Sequence, residues 1–71
     1  MSALKKRSFT LSGHRTSVAL EAEFWAVLEE RARTEAISLS AFVARIDAER
    51  GTRPLASALR LAALAAARAG H

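Results

Sequence analysis

The hydrophobic period of this chain changes once, at Glu21. Before it, Arg15-Thr16-Ser17-Val18-Ala19-Leu20 alternates, with Thr16, Val18 and Leu20 on one face and Arg15, Ser17 and Ala19 on the other. Alternation with β-branched residues reads as a half-buried strand. After it, Phe24, Trp25, Val27, Leu28 and Ala32 recur at three- and four-residue spacing, which predicts an amphipathic helix from about Ala22 to Glu35. Glu21 and Glu23 stand in its first turn, where negative charge suits the helix dipole. Arg31 lies near the apolar stripe, so its stem must pack while its head reaches water.

A strand that leads straight into helices leaves unpaired N–H and C=O groups along its edges. Upstream, Arg7-Ser8-Phe9-Thr10-Leu11 places Phe9 and Leu11 on one face, and Ser12-Gly13-His14 is a turn or bulge signal. Residues 7–11 can pair one edge as a hairpin, but the sequence equally allows an arm or one long strand kinked at Gly13. Residues 1–6 have no period and read as a flexible basic arm.

Downstream, Ser38 is an N-cap for a second helix, followed by Leu39, Phe42, Val43 and Ile46 at helical spacing. Ala41 stands where a capping box would place Glu. Gly51 ends this helix in the C′ position, and Pro54 suits the first turn of a third helix running to about Ala69. The only polar residues of that helix are Ser57, Arg60 and Arg68, on one narrow stripe interrupted by Leu64. A helix so apolar must cover the core, a second subunit or a partner protein. The expected organisation is thus an arm (1–6), a central domain (7–51) and an Ala-rich C-terminal helix (52–71).

The core looks thin. Hydrophobic residues make up 51% of the 71, but 17 of those 36 are alanine, leaving 19 larger apolar side chains. A domain of this size buries only about 60% of its unfolded surface, so self-association is expected. A second copy also supplies the missing strand neighbour under two-fold symmetry.

Other classes are removed by absence of material. No run reaches the roughly 18 apolar residues of a membrane span. Lys5, Lys6 and Arg7 are followed by a mostly polar stretch, so no signal peptide is read and a cytoplasmic location is expected. Two histidines and no cysteine make neither a disulfide framework nor a metal site. No phosphate loop, nucleophile–base pair or carboxylate dyad is visible, so neither an enzyme nor a cofactor is expected. The net charge is +4, and all seven acids fall between Glu21 and Glu49. The four cations before them (Lys5, Lys6, Arg7, Arg15) form an acid-free segment, the footprint of either a phosphate-binding surface or a solubilising tail.

The strand Arg15-Thr16-Ser17-Val18-Ala19-Leu20, the helix start Glu21-Ala22-Glu23-Phe24-Trp25 and the stretch Ala36-Ile37-Ser38-Leu39-Ser40-Ala41-Phe42-Val43 together resemble the ribbon-helix-helix family, which includes the Arc and methionine repressors. The resemblance covers residues 15 to about 50. The run from Lys6 to Leu20 and the later Ser57-Ala58-Leu59-Arg60 are similar to a group of short bacterial members. Three positions depart from the family pattern: Ala36 replaces a turn glycine, Ala22 a frequent proline and Arg31 a frequent apolar residue.

The resemblance implies a mainly α fold with a short β ribbon, built as an intertwined homodimer with an intersubunit antiparallel ribbon and an extra C-terminal helix. It implies a transcriptional regulator, such as a repressor, whose ribbon enters the major groove of double-stranded DNA. Arg15, Ser17 and Ala19 would contact bases. Ser38, Leu39 and Ser40 would hold a phosphate at a helix N-terminus. Lys5, Lys6 and Arg7 would grip the backbone. Val18, Leu20, Phe24, Trp25, Leu28, Phe42, Val43 and Ile46 would form the dimer core. Two arginines per dimer give modest base discrimination, so tandem dimers or DNA shape would add to it.

The bland readings stand beside these. Ser38 and Ser40 are ordinary cap residues by spacing alone, and His14 is a turn residue. Glu29, Glu30, Glu35, Asp47 and Glu49 form a solvated acidic face. The alternative function is a protein-interaction module, such as an antitoxin whose helix at 52–71 binds a partner protein.

Overall fold

The structure is a computed structural model that describes residues 3–69. Two antiparallel strands, β1 (Leu4–Leu11) and β2 (His14–Glu21), are followed by three helices, α1 (Ala22–Thr34), α2 (Leu39–Glu49) and α3 (Leu55–Ala69).

The ribbon closes through a two-residue loop. Ser12 (φ 51°) and Gly13 (φ 80°) are both left-handed, as a type I′ turn requires, and that turn matches the twist of paired strands. It sets the register Leu11↔His14, Phe9↔Thr16, Arg7↔Val18 and so outward to Leu4↔Glu21. Of the three conformations open to residues 7–14, the hairpin is the one formed. The neighbour of β2 is therefore β1 of the same chain. The two-residue loop closes this hairpin at little entropic cost, and β1 occupies one edge of β2. No third strand joins the sheet among the described residues.

The arm expected over residues 1–6 is also corrected. Leu4, Lys5 and Lys6 belong to β1, and the Trp25 indole N–H donates to the Lys5 carbonyl at 2.8 Å. Met1 and Ser2 lie outside the described residues.

Pleating sends Phe9, Leu11, Val18 and Leu20 into one core with Trp25, Leu28 and Ala32 of α1, Phe42, Val43 and Ile46 of α2, and Ala58, Leu59 and Ala63 of α3. The core is thus complete within one chain. Seven of the eight residues expected at a dimer core are buried here without a second copy, and Phe24 is half-buried under the Arg60 guanidinium, 5.8 Å from its ring. Alanine is what closes the core. At Ala32, Ala58 and Ala63 a methyl group replaces a longer chain, so the helices approach closely. The third helix covers the core, with Leu59 fully buried and Leu61 and Leu64 on the outer side, each 46% exposed.

The helix ends follow local chemistry. Helix α1 ends with Ile37 N–H donating to the Ala32 carbonyl and Ala36 N–H to the Arg33 carbonyl, both at 3.0 Å. This is the Schellman pattern, and Ala36 takes its left-handed position (φ 59°) where glycine is usual. In α2, Ser38 Oγ accepts the Ala41 N–H at 3.0 Å. Gly51 (φ 61°) follows α2 in the left-handed conformation.

Candidate nucleic-acid interface

Since Val18 and Leu20 point inward, the opposite face of the ribbon is fixed. It carries Arg15, Ser17 and Ala19 of β2, and across the strand pair Thr10, Ser8 and Lys6 of β1. Of these six only Ala19 is half-buried; the other five are exposed. The face is polar and tied together by its own side chains. Arg15 Nη1 donates to Thr10 Oγ1 at 3.3 Å. The Ser8 and Ser17 hydroxyls share a hydrogen bond at 2.8 Å.

The acids are engaged elsewhere. Glu29 pairs with Arg7 at 2.7 Å, Glu30 with Arg33, Glu35 with both Arg31 (2.9 Å) and Arg45 (2.8 Å), and Asp47 with Arg50 at 2.6 Å. Four of the five acids read as a solvated face, all but Glu49, thus take part in ion pairs on the helical body. Glu35 joins α1 to the middle of α2, and Arg45 beside it, with help from Arg31, holds its carboxyl below the usual 4.5. Arg31, the irregular residue of the α1 stripe, is thereby accounted for. Glu21, at the far end of β2, receives Arg60 of α3 at 3.0 Å. A backbone hydrogen bond at Glu21 itself and the Arg60 contact lower its carboxyl pKa as well. Among the described residues no acid pairs with Lys6 or Arg15.

Arg7 does not belong to that face. Its register places it on the inner side opposite Val18, where its guanidinium lies 5.2 Å from the Trp25 ring centroid and bonds Glu29. Its pairing with Glu29 and its inner position leave Lys6 as the cation that β1 adds to the outer face. Lys5 and Lys6 remain exposed. At the start of α2, the Ser38 side chain takes the Ala41 N–H, so the cap role is the one observed. Leu39 and Ser40 carry first-turn N–H groups that the helix ladder cannot use. His14 is an exposed residue beside the turn. No group of three His, Asp or Glu side chains gathers among the described residues to hold a metal ion.

The sequence reading places Lys5, Lys6 and Arg7 of β1 at the backbone but leaves Ser8 and Thr10 out of the site. Their signal was present: Lys6, Ser8 and Thr10 alternate with Arg7, Phe9 and Leu11 in the same way as their partners on β2.

This arrangement, a ribbon with one polar face followed by helices, coincides with a family model. A ribbon-helix-helix domain model matches residues 4–67. The chain belongs to the ribbon-helix-helix family. The match includes β1 and nearly all of α3. No curated protein and no solved structure matches the chain. No helix among the described residues is long and apolar enough to cross a membrane.

Proposed function

We propose that this ribbon-helix-helix protein is a sequence-specific DNA-binding regulator whose ribbon enters the major groove. The observation that carries this reading is the outer ribbon face, which holds Arg15 and Lys6 with no acid paired to either. A two-stranded ribbon fits the major groove, and a guanidinium can donate two bonds to guanine O6 and N7. Ser17 supplies a hydroxyl and Ala19 a methyl for thymine. Lys5 and Lys6 supply phosphate contacts, and the first turn of α2 at Ser38, Leu39 and Ser40 supplies another. The active form is a homodimer in the cytoplasm. A second copy adds along the edge of β2 that β1 does not occupy, where Arg15, Ser17 and Ala19 direct their backbone groups away from the hairpin.

The test is selection of binding sequences from a randomised duplex pool, followed by Arg15→Ala on the enriched sequence. One bidentate contact carries about 1–3 kcal/mol of base discrimination, so the variant loses roughly ten- to hundredfold in preference. Circular dichroism and gel filtration verify that it stays folded. A folded variant with unchanged affinity and preference refutes the reading.

A second reading, partner docking by α3, has one observation behind it: Leu61 and Leu64 are exposed one turn apart. Because Leu59 of the same helix is fully buried, deleting 52–71 would remove part of the core. The discriminating variant is Leu61→Ser with Leu64→Ser. It keeps DNA binding in either case and loses a bound protein only if α3 docks one.

A further inference from the structure

We propose that β1 completes the DNA-reading face and that Thr10 is the positioning residue for Arg15. This rests on the reading above and extends it to a strand outside the resemblance at residues 15–50.

The geometry has three cross-strand rows on one face: Lys6 with Ala19, Ser8 with Ser17, and Thr10 with Arg15. Same-face rows repeat about every 6.8 Å along a strand. Three rows therefore span about 14 Å, the rise of roughly four base pairs at 3.4 Å each. Each chain thus presents three rows that match about four base pairs in length.

The rows differ in chemistry. The Ser8–Ser17 pair shares one hydrogen bond in which either hydroxyl can be the donor. Each hydroxyl has one proton and two lone pairs. With one proton used between them, the pair still offers one donor and several acceptors, and reversing the bond changes which serine offers which. Such a pair fits a base edge of either polarity and discriminates little. Lys6 is a flexible point charge that suits a phosphate better than a base.

Discrimination therefore falls on the Thr10–Arg15 row. Arg15 is exposed, and among the described residues its side chain makes one hydrogen bond, from Nη1 to Thr10 Oγ1 at 3.3 Å. An unrestrained arginine loses rotamer entropy on docking. Thr10 occupies one of its five donors and leaves a fork free to face outward. The hydroxyl thus biases the guanidinium toward the face without touching the base.

The test compares Thr10→Val, Thr10→Ser and Lys6→Ala with Arg15→Ala, using the duplex enriched by the wild type and a scrambled duplex of equal length. Valine keeps the β-branched shape and strand preference of threonine, and circular dichroism verifies the fold. Thr10→Val lowers the ratio of enriched to scrambled binding about fivefold, as expected for losing one ordinary exposed hydrogen bond, and leaves the salt slope unchanged. Thr10→Ser restores the ratio. Lys6→Ala weakens both duplexes alike and reduces the salt slope by about one.

If Arg15→Ala abolishes the preference while Thr10→Val leaves it intact, the positioning role is overturned and the proposed function stands. If Thr10→Ser loses as much as Thr10→Val, the hydroxyl is not the agent and the proposal is overturned likewise. If no sequence is enriched by the wild type, reading by the ribbon itself fails, and this proposal with it.

Discussion

Arg60 reaches from α3 to the end of β2 and places both Nε and Nη2 at 3.0 Å from the same oxygen of Glu21. Glu21 is also the residue preceding α1, so one side-chain contact ties together the ribbon, the first helix and the third. The two residues are 39 positions apart, yet the contact sits where the hydrophobic period changes.

Arg60→Ala should therefore lower the thermal midpoint by more than an ordinary surface arginine would, because the guanidinium also covers Phe24. A fall of a few degrees is expected, and Arg60→Lys recovers only part of it, since an ammonium cannot supply two fixed donors. Differential scanning calorimetry measures both. A midpoint unchanged in Arg60→Ala would mean that the contact contributes nothing to stability.

Ala36→Gly should stabilise the protein. A non-glycine residue in the left-handed region costs roughly 1–2 kcal/mol, and the added freedom of glycine in the unfolded chain takes back part of that. The net gain expected is about 0.5–1 kcal/mol, read as a higher urea midpoint at constant slope. Gly51→Ala runs the other way by a similar amount, since its φ is 61° and nothing lies within 4 Å of an added Cβ.

The third helix should prove integral to the fold. Leu59→Ala removes a fully buried side chain and should cost about 2–4 kcal/mol. Leu64→Ala, at 46% exposed, should change stability by less than about 0.5 kcal/mol. Equal effects in urea denaturation would contradict the packing described.

Stability should fall in acid through Glu35. Its folded pKa lies below 4.5, chiefly because Arg45 donates to it. The unfolded state then binds a proton first as pH drops, so this contribution is present above about pH 4.5 and is lost as pH falls through the folded value. Glu35→Gln should flatten the decline of the thermal midpoint below pH 4.5 and leave the ordering of the two proteins unchanged between pH 6 and 8. An identical acid limb in both proteins would remove Glu35 from the account.

Much of the architecture was legible because it is periodic. Val18 and Leu20 against Arg15 and Ser17 define the faces of β2 without any knowledge of what packs on them, and Phe24 to Ala32 does the same for α1. Ser38, Gly51 and Pro54 mark boundaries by backbone chemistry that is local. What escaped was non-local. Arg7 reads as part of a basic cluster until its partner Glu29, 22 residues on, is placed beside it. Arg31 reads as a flaw until Glu35 and Arg45 meet it. The conformation of residues 7–14 stays open in the sequence because a Ser-Gly turn signal does not by itself say which strands it joins.

The chain has a single tryptophan, and its indole nitrogen is bonded to the ribbon backbone at Lys5 while its ring packs between Phe9 and the Arg7 guanidinium. The protein thus carries its own optical gauge, seated directly behind the strand pair. Any bending or lifting of that pair by a bound duplex must disturb the indole bond, and the emission of the unlabelled protein will register it.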